Sequence, residues 1–470
     1  MSWLGLSCSG PGRRLYDHAM SAPPADARDS TDDGRAVATQ PAGTAQPAGT
    51  ARPPGSARSA GAPAAVPARN QIRYRDPVRL PYLLSTVGLA CMTAVAAPFF
   101  SRTLRAAPFA LAGVEAAGRA GGAAARYGRN QLADRRPGLR GALDLAASAG
   151  LALAAGFLAA SGALWQAGAC RAGSWAARGL GTPALEEQAS AAGPARLGRR
   201  LGFERSVGAL GGAVGALVTV ALLSFTSPRG VIGFAAIPIA LAVVVSAVAM
   251  VRGRSNAPEA PTAPTQITIT QLRGRALGTL LVGVACYEAS NIAVVLLLLR
   301  ASKVVGSSGT LVTAQRVALC YGLYQLTAAV CAAWVGRLVD RAGTGLVLAA
   351  GGVSLLLAYL GLATITADHN VTLAVCFLLA GAAAGAVDTA EYTGVARLAG
   401  PESCRAAFGA LAGIQSAGRV LATLTAGGLW TLVGPKAGLL VCGPLLVVAT
   451  VIFLLRADRP HRQARAELTG

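Results

Sequence analysis

Gly336-Arg-Leu-Val-Asp340-Arg341-Ala-Gly343 and Asn130-Gln-Leu-Ala-Asp134-Arg135-Arg-Pro-Gly138 are two versions of one short phrase. Each sits between long apolar runs, at matching places in the two halves of the chain. A second pair repeats the relationship. Leu201-Gly-Phe-Glu-Arg-Ser-Val-Gly-Ala-Leu opens a later apolar run in the first half, and Ala407-Phe-Gly-Ala-Leu-Ala-Gly-Ile-Gln-Ser opens the corresponding run in the second. Such a repeat marks a chain built from two similar halves. The material between the phrases is unlike that of a soluble domain, which carries about 25% charged residues. Here hydrophobic residues are 53%, charged residues 13%, and mean hydropathy is +0.50. The chain lacks the polar surface to be soluble.

Crossing about 30 Å of hydrocarbon takes about 20 apolar residues as a helix. The runs that qualify are Leu80–Phe100, Ala107–Ala125, Ala142–Ala160, Ser161–Ala177, Val207–Phe225 and Val231–Val251. A polar, Pro-rich linker, 252–275, follows. Then come Ala276–Leu299, Leu311–Val335, Leu346–Thr366, Val371–Ala396, Ala407–Leu432 and Gly438–Leu455. The expectation is an all-α polytopic membrane protein of about twelve spans. A six-span half lies at 75–251 and a second at 276–457. Spans three and four share one apolar stretch and must turn near Ser161-Gly162. Residues 1–74 are rich in Ala, Pro, Gly, Thr and Arg, which predicts a disordered tail; 458–470 form a second tail. Met1–Gly12 has too short an apolar stretch for a signal peptide, and Met20 offers an alternative start.

Charge orients this bundle. An even span number puts both termini on one side, with Arg126, Arg129, Arg135, Arg136, Arg140, Arg178, Arg196, Arg199, Arg200, Arg252, Arg254, Arg273, Arg275, Arg337, Arg341, Arg397 and Arg405. The other side offers Arg102, Arg105, Arg229, Lys303 and Lys436. The positive-inside rule then places both termini in the cytoplasm and the chain in the cell membrane. The formal net charge of +21 follows from the same distribution. It is spread over short gaps rather than clustered on a soluble face, so no nucleic-acid partner is expected. Cys91, Cys170, Cys286, Cys320, Cys331, Cys376 and Cys442 lie singly in apolar stretches, with no metal-ligand spacing. No metal or cofactor is expected.

With spans and phrases placed, the chain resembles the major facilitator superfamily over about residues 75–457. Gly336-x-Leu338-x-Asp340-Arg341-x-Gly343 matches the loop motif of that family, in the position of its second copy. The first copy, Asp134-Arg135 with Asn130 and Gly138, departs from the pattern. The resemblance implies a gating role for Asp134, Arg135, Gly336, Asp340, Arg341 and Gly343 between two rocking domains. It also implies that spans one, two, four, five, seven, eight, ten and eleven line a central cavity. Gly208-Ala-Leu-Gly-Gly212-Ala213-Val-Gly215 is similar to a span-five stretch of antiporters, with Ala213 where that stretch has proline. Small residues at this spacing also serve plain helix packing.

Ionisable groups at bilayer depth are costly and face a cavity or a partner. Glu115, Arg119, Arg171, Glu288, Asp388, Glu391 and Arg419 all fall on the implied cavity-lining spans. Glu115 and Arg119 are one turn apart and can satisfy each other. Glu288 has no basic residue within a turn; desolvation favours its protonated form, which makes it the first candidate for proton coupling. Asp388 and Glu391 share a helix face and are the second, or else gate contacts with Arg397 or Arg405. Asn291, Gln325 and Gln415 can hydrogen-bond a polar substrate. Tyr287, Tyr321 and Tyr324 are the aromatic residues near these spans.

The expected function is a secondary active transporter of a small organic molecule, proton-coupled and directed to efflux, acting as a monomer. An uptake permease and a non-transporting sensor of the same fold stay open. An ATP-driven permease would need a nucleotide loop, and the chain has no Gly-x-x-x-x-Gly-Lys-Ser/Thr. A membrane-embedded enzyme would need a cluster of nucleophile and base, and none is readable.

Overall fold

The computed structural model describes residues 79–181, 197–252, 275–305, 309–366, 369–399 and 404–457. The expected tails and all but the two ends of the expected linker lie outside these residues. The elements are α1 (Arg79–Pro98, continued by a π-turn Phe99–Thr103), α2 (Pro108–Arg135), α3 (Arg140–Ala160), α4 (Leu164–Gly181), α5 (Leu197–Leu222) and α6 (Pro228–Val251). Then come α7a (Arg275–Glu288), α7b (Val294–Val304), α8 (Thr310–Ala342), α9 (Thr344–Thr364), α10 (Asn370–Leu398), α11 (Cys404–Leu432), α12a (Pro435–Leu440) and α12b (Gly443–Ala457). Counting each broken pair as one, these follow the expected spans in order. The turn between α3 and α4 falls at Ser161-Gly162-Ala163, as the sequence requires.

Eight of these units are long and apolar enough to cross a membrane by length and composition. The four that fall short are α2, α4, the broken α7 and α11. They are the helices that carry Glu115, Arg119, Arg171, Glu288 and Arg419. Polar groups lower their hydropathy because these helices also line the interior. α1 is the most buried span, with 67% of its apolar window inside the protein against 28% for α3 and α6.

Several boundaries differ from expectation; α5 begins at Leu197 rather than Val207. α2 runs on to Arg135 and α8 to Ala342, so the two phrases form helix ends rather than loops. Nothing within them breaks a helix before Pro137 or Gly343, and a basic last turn complements the carbonyl end of the dipole. α12 is interrupted at Val441-Cys442.

The span expected at Ala276–Leu299 breaks at Ala289–Ala293, immediately after Glu288. Unwound backbone at membrane depth survives only where its polar groups are satisfied. Here the amide of Ile292 donates to the Tyr359 hydroxyl (2.9 Å), which itself donates to the carbonyl of Ser290 (3.1 Å). The amide of Ala293 donates to Thr423 Oγ1 (3.2 Å). Gly418 lets α11 approach this break: a Cβ there would lie 2.7 Å from the Glu288 carbonyl carbon.

The halves meet along α5 with α8 and α2 with α11, with α1 against α7b and α5 against α10. Gly336 sits in this seam. A Cβ on it would lie 2.4 Å from the carbonyl oxygen of Gly198 in α5. At the opposite end, a Cβ on Gly427 of α11 would lie 2.2 Å from that of Ala112 in α2, and the amide of Phe109 donates to Thr431 Oγ1 (3.0 Å). The Gly208–Gly215 run packs α5 against α1 and α8, with Gly208 on Tyr82, Gly211 on Thr86 and Gly212 on Gln325.

Arginines tie helix ends within each half. Arg229 donates to the Ser161 carbonyl, and Arg300 to those of Leu362 and Ile365. Arg129 joins Asp144 (2.6 Å) and the Leu180 carbonyl, while Arg397 donates to the carbonyl of Val339 (3.0 Å). These guanidinium groups satisfy orphan carbonyls that a helix leaves at its C-terminus.

Candidate functional site

Two clusters of charge face each other across the seam. The larger belongs mainly to the C-terminal half. Glu288 ends α7a at the break, and Asp388 and Glu391 lie one turn apart on α10. One oxygen from each comes within 4.8 Å of the others. Arg419 of α11 forks onto Glu288 (Nε to Oε2 2.5 Å, Nη2 to Oε1 2.6 Å) and reaches Asp388 Oδ1 (2.8 Å). The other Asp388 oxygen accepts from Arg205 of α5 (2.9 Å). That ion pair spans the two halves. Arg205 also lies over the ring of Tyr392, 4.6 Å from its centroid.

The expected isolation of Glu288 is therefore corrected. Its partner arrives from another helix, 131 residues along the chain, where no helical spacing could reveal it. Asn291 donates to it as well (3.0 Å). Glu391 is the carboxyl without a guanidinium. It is fully buried; Oε2 accepts from Gln415 (2.6 Å), and Oε1 has no hydrogen-bond partner. Gln415 in turn accepts from the Tyr392 hydroxyl (3.4 Å). Arg397, one of the two alternative gate contacts offered for Asp388 and Glu391, ties α10 to the end of α8 through the Val339 carbonyl. Arg405 has no described side chain.

The smaller cluster belongs to α2 and α4. Glu115 does not pair with Arg119, because α4 brings a better-placed cation. Arg171 Nε donates to Glu115 Oε1 (2.7 Å), and Trp175 Nε1 donates to Oε2 (3.2 Å). Both members of this ion pair are buried. Arg119 lies over the Trp175 ring at 4.8 Å, as does Arg178. Gln325 donates to the Tyr321 hydroxyl (3.0 Å), and Tyr321 stacks on Tyr324.

Among the motif residues, Gly343 holds φ at +85° in the turn from α8 to α9, a conformation that a Cβ would strain. Arg135 and Arg341 are exposed at their helix ends. Asp134 and Asp340 lie in helices whose side chains at those positions are outside the described residues. Sequence reasoning missed Arg205, Trp175, Tyr359 and Thr423. Arg205 had a signal. The Leu201–Leu210 stretch already matched the start of span eleven, so Arg205 is inside that helix rather than before it.

The wider comparison agrees with this architecture. The sequence pattern described as Major Facilitator Superfamily matches residues 131–368 and, overlapping, 279–470. No curated protein sequence matches the chain. Among solved structures, the nucleoside transporter NupG superposes with a TM-score of 0.62 at 12% identity, covering 81% of this chain and 98% of that one. The human organic anion transporter MFSD10 (TETRAN) gives 0.56 at 15%, covering 80% and 98%. A POT family transporter in complex with 5-aminolevulinic acid gives 0.64 at 13%, covering 82% and 96%. At these identities the likeness is one of fold. With the family pattern spanning well over half of the chain, the protein belongs to the major facilitator superfamily of multi-pass membrane transporters.

Proposed function

We propose that the chain is a proton-coupled secondary transporter that exports a small organic molecule across the cell membrane by alternating access. The supporting observation is a charge count in the larger cluster: three carboxyls, Glu288, Asp388 and Glu391, face two guanidinium groups, Arg205 and Arg419. Glu391 is the carboxyl that neither guanidinium pairs with, and it holds the unpartnered, buried oxygen. A buried carboxyl in that position is most stable carrying a proton. Releasing it requires water or a cation, which alternating access supplies when the seam beside Arg205 opens. Glu391 therefore replaces Glu288 as the residue we assign to the proton. Glu288 and Asp388 anchor Arg419, and Asp388 also latches the halves through Arg205. Asn291 and Gln415 position the carboxyls.

Export follows the resemblance of the Gly208–Gly215 run to the antiporter stretch, and cytoplasmic termini follow the loop charges. The test is flux of a mixed-charge compound panel in proteoliposomes under an imposed pH gradient of either sign. Export in exchange for protons predicts uphill movement that collapses when an ionophore dissipates the gradient. Flux indifferent to that collapse would remove the coupling. Ligand-dependent stabilisation without flux of any compound would favour the sensor reading.

A further inference from the structure

Arg119 is an interior cation that the coupling cluster leaves unused. It lies in the middle of α2, and its Nε is buried without a hydrogen-bond partner. No carboxylate lies within ion-pair distance of it among the described residues. The acid one turn away is occupied, with one Glu115 oxygen on Arg171 and the other on Trp175. Its guanidinium lies over the face of Trp175 at 4.8 Å. A cation–π contact is worth about 0.5–2 kcal/mol, short of what a guanidinium loses on leaving water at this depth. Across the seam its charged neighbours are Arg419, which repels it, and Glu288, whose two oxygens are already held by Arg419 and Asn291; Tyr324 lies near both cations. The two guanidinium groups thus come from opposite halves, and the carboxylates near Arg119 are each ion-paired with another arginine.

We infer that Arg119 anchors an anionic group of the transported molecule, which makes the substrate class small organic anions bearing a carboxylate or phosphate-like oxyanion. An oxyanion between the halves turns the repulsion of Arg119 and Arg419 into two attractions, and planar guanidinium donors suit its geometry. The same placement couples binding to rocking, since Arg119 moves with the N-terminal half and Arg419 with the other. This inference rests on the transport reading for its biological meaning, while the binding site itself is testable without flux.

The experiment uses the purified full chain in neutral phosphatidylcholine nanodiscs, with benzoate, phenylphosphate, benzamide and benzylamine as probes. Benzoate and phenylphosphate should raise the melting temperature in a saturable way, and neutral benzamide and cationic benzylamine should not. Arg119→Gln should weaken anion binding by about tenfold to a hundredfold, with Arg119→Lys recovering part of it. Equal stabilisation by benzamide, no stabilisation by either oxyanion, or undiminished binding to Arg119→Gln would each overturn the inference. So would stabilisation by added phosphatidylglycerol alone, which would assign the site to a lipid headgroup. Anion binding without flux would leave the site standing and remove the transport reading. Flux of neutral or cationic compounds, unaffected by Arg119→Gln, would do the reverse.

Discussion

At the scale of single residues, Glu115 and Glu391 are both buried carboxyls with opposite assignments, and the difference lies in their partners. Glu115 holds a guanidinium and an indole N–H, so it is a structural anion. Glu115→Gln would leave Arg171 buried beside a neutral amide, at a cost of roughly 3–5 kcal/mol by analogy with broken buried pairs. Thermal unfolding in detergent should show a lowered midpoint, with substrate affinity changed little in the molecules that remain folded. Glu391→Gln is a different experiment. It keeps the volume and the Gln415 contact but removes the exchangeable proton. Gradient-driven flux should fall to the level of the ungated background, while exchange of labelled for unlabelled substrate at equal pH persists. Loss of both activities together would argue against the proton role. Arg205 and Arg419 were beyond reach from sequence as partners, because their acids lie 183 and 131 residues away. Helical spacing exposes only pairs within one turn, and it suggested Glu115 with Arg119, where the packing of α4 against α2 prevailed.

At the scale of elements, the break between α7a and α7b is held by side chains from α9 and α11. Tyr359 serves two backbone groups with one hydroxyl, and Thr423 serves a third. Tyr359→Phe should cost about 1–3 kcal/mol for the buried groups left unpaired and loosen the segment that presents Glu288. Hydrogen exchange at Ser290–Ala293 should rise selectively, and unchanged protection there would refute the role of the hydroxyl. The break itself was invisible in the sequence. Ala289-Ser-Asn-Ile-Ala contains no Pro or Gly, and an apolar run of span length reads as one helix. What the sequence did make legible was the order of spans, the turn at Ser161-Gly162 and the repeated phrases. Hydropathy and local composition carry these, without help from distant contacts. The ends of α2 and α8 were placed about two to three turns too early, since helices extend past the hydrocarbon until a residue such as Pro137 or Gly343 stops them.

At the scale of the whole molecule, two glycines set how closely the halves approach at opposite ends. Gly336 meets the Gly198 backbone near the α8–α9 turn, and Gly427 meets Ala112 near the α11–α12 turn. Neither contact tolerates a side chain, because the intruding atoms would meet backbone or a helix-borne methyl rather than a flexible tip. Overpacking a seam costs typically about 1–3 kcal/mol, enough to shift a balanced two-state equilibrium by about fivefold to a hundredfold. Gly336→Val and Gly427→Val should therefore bias the molecule in opposite directions, each prying apart its own end. Spin labels on Arg135 and Arg341 report one end, and labels on Arg105 and Lys436 the other, all four being exposed. In a background with the native cysteines replaced, Gly336→Val should lengthen the first distance, and Gly427→Val the second. Rocking about a central site further requires that the end left unmutated close or stay closed in each case. Distances that lengthen together at both ends would mean the halves simply separate, and the clusters around Arg119 and Glu391 would then have no alternating gate to serve.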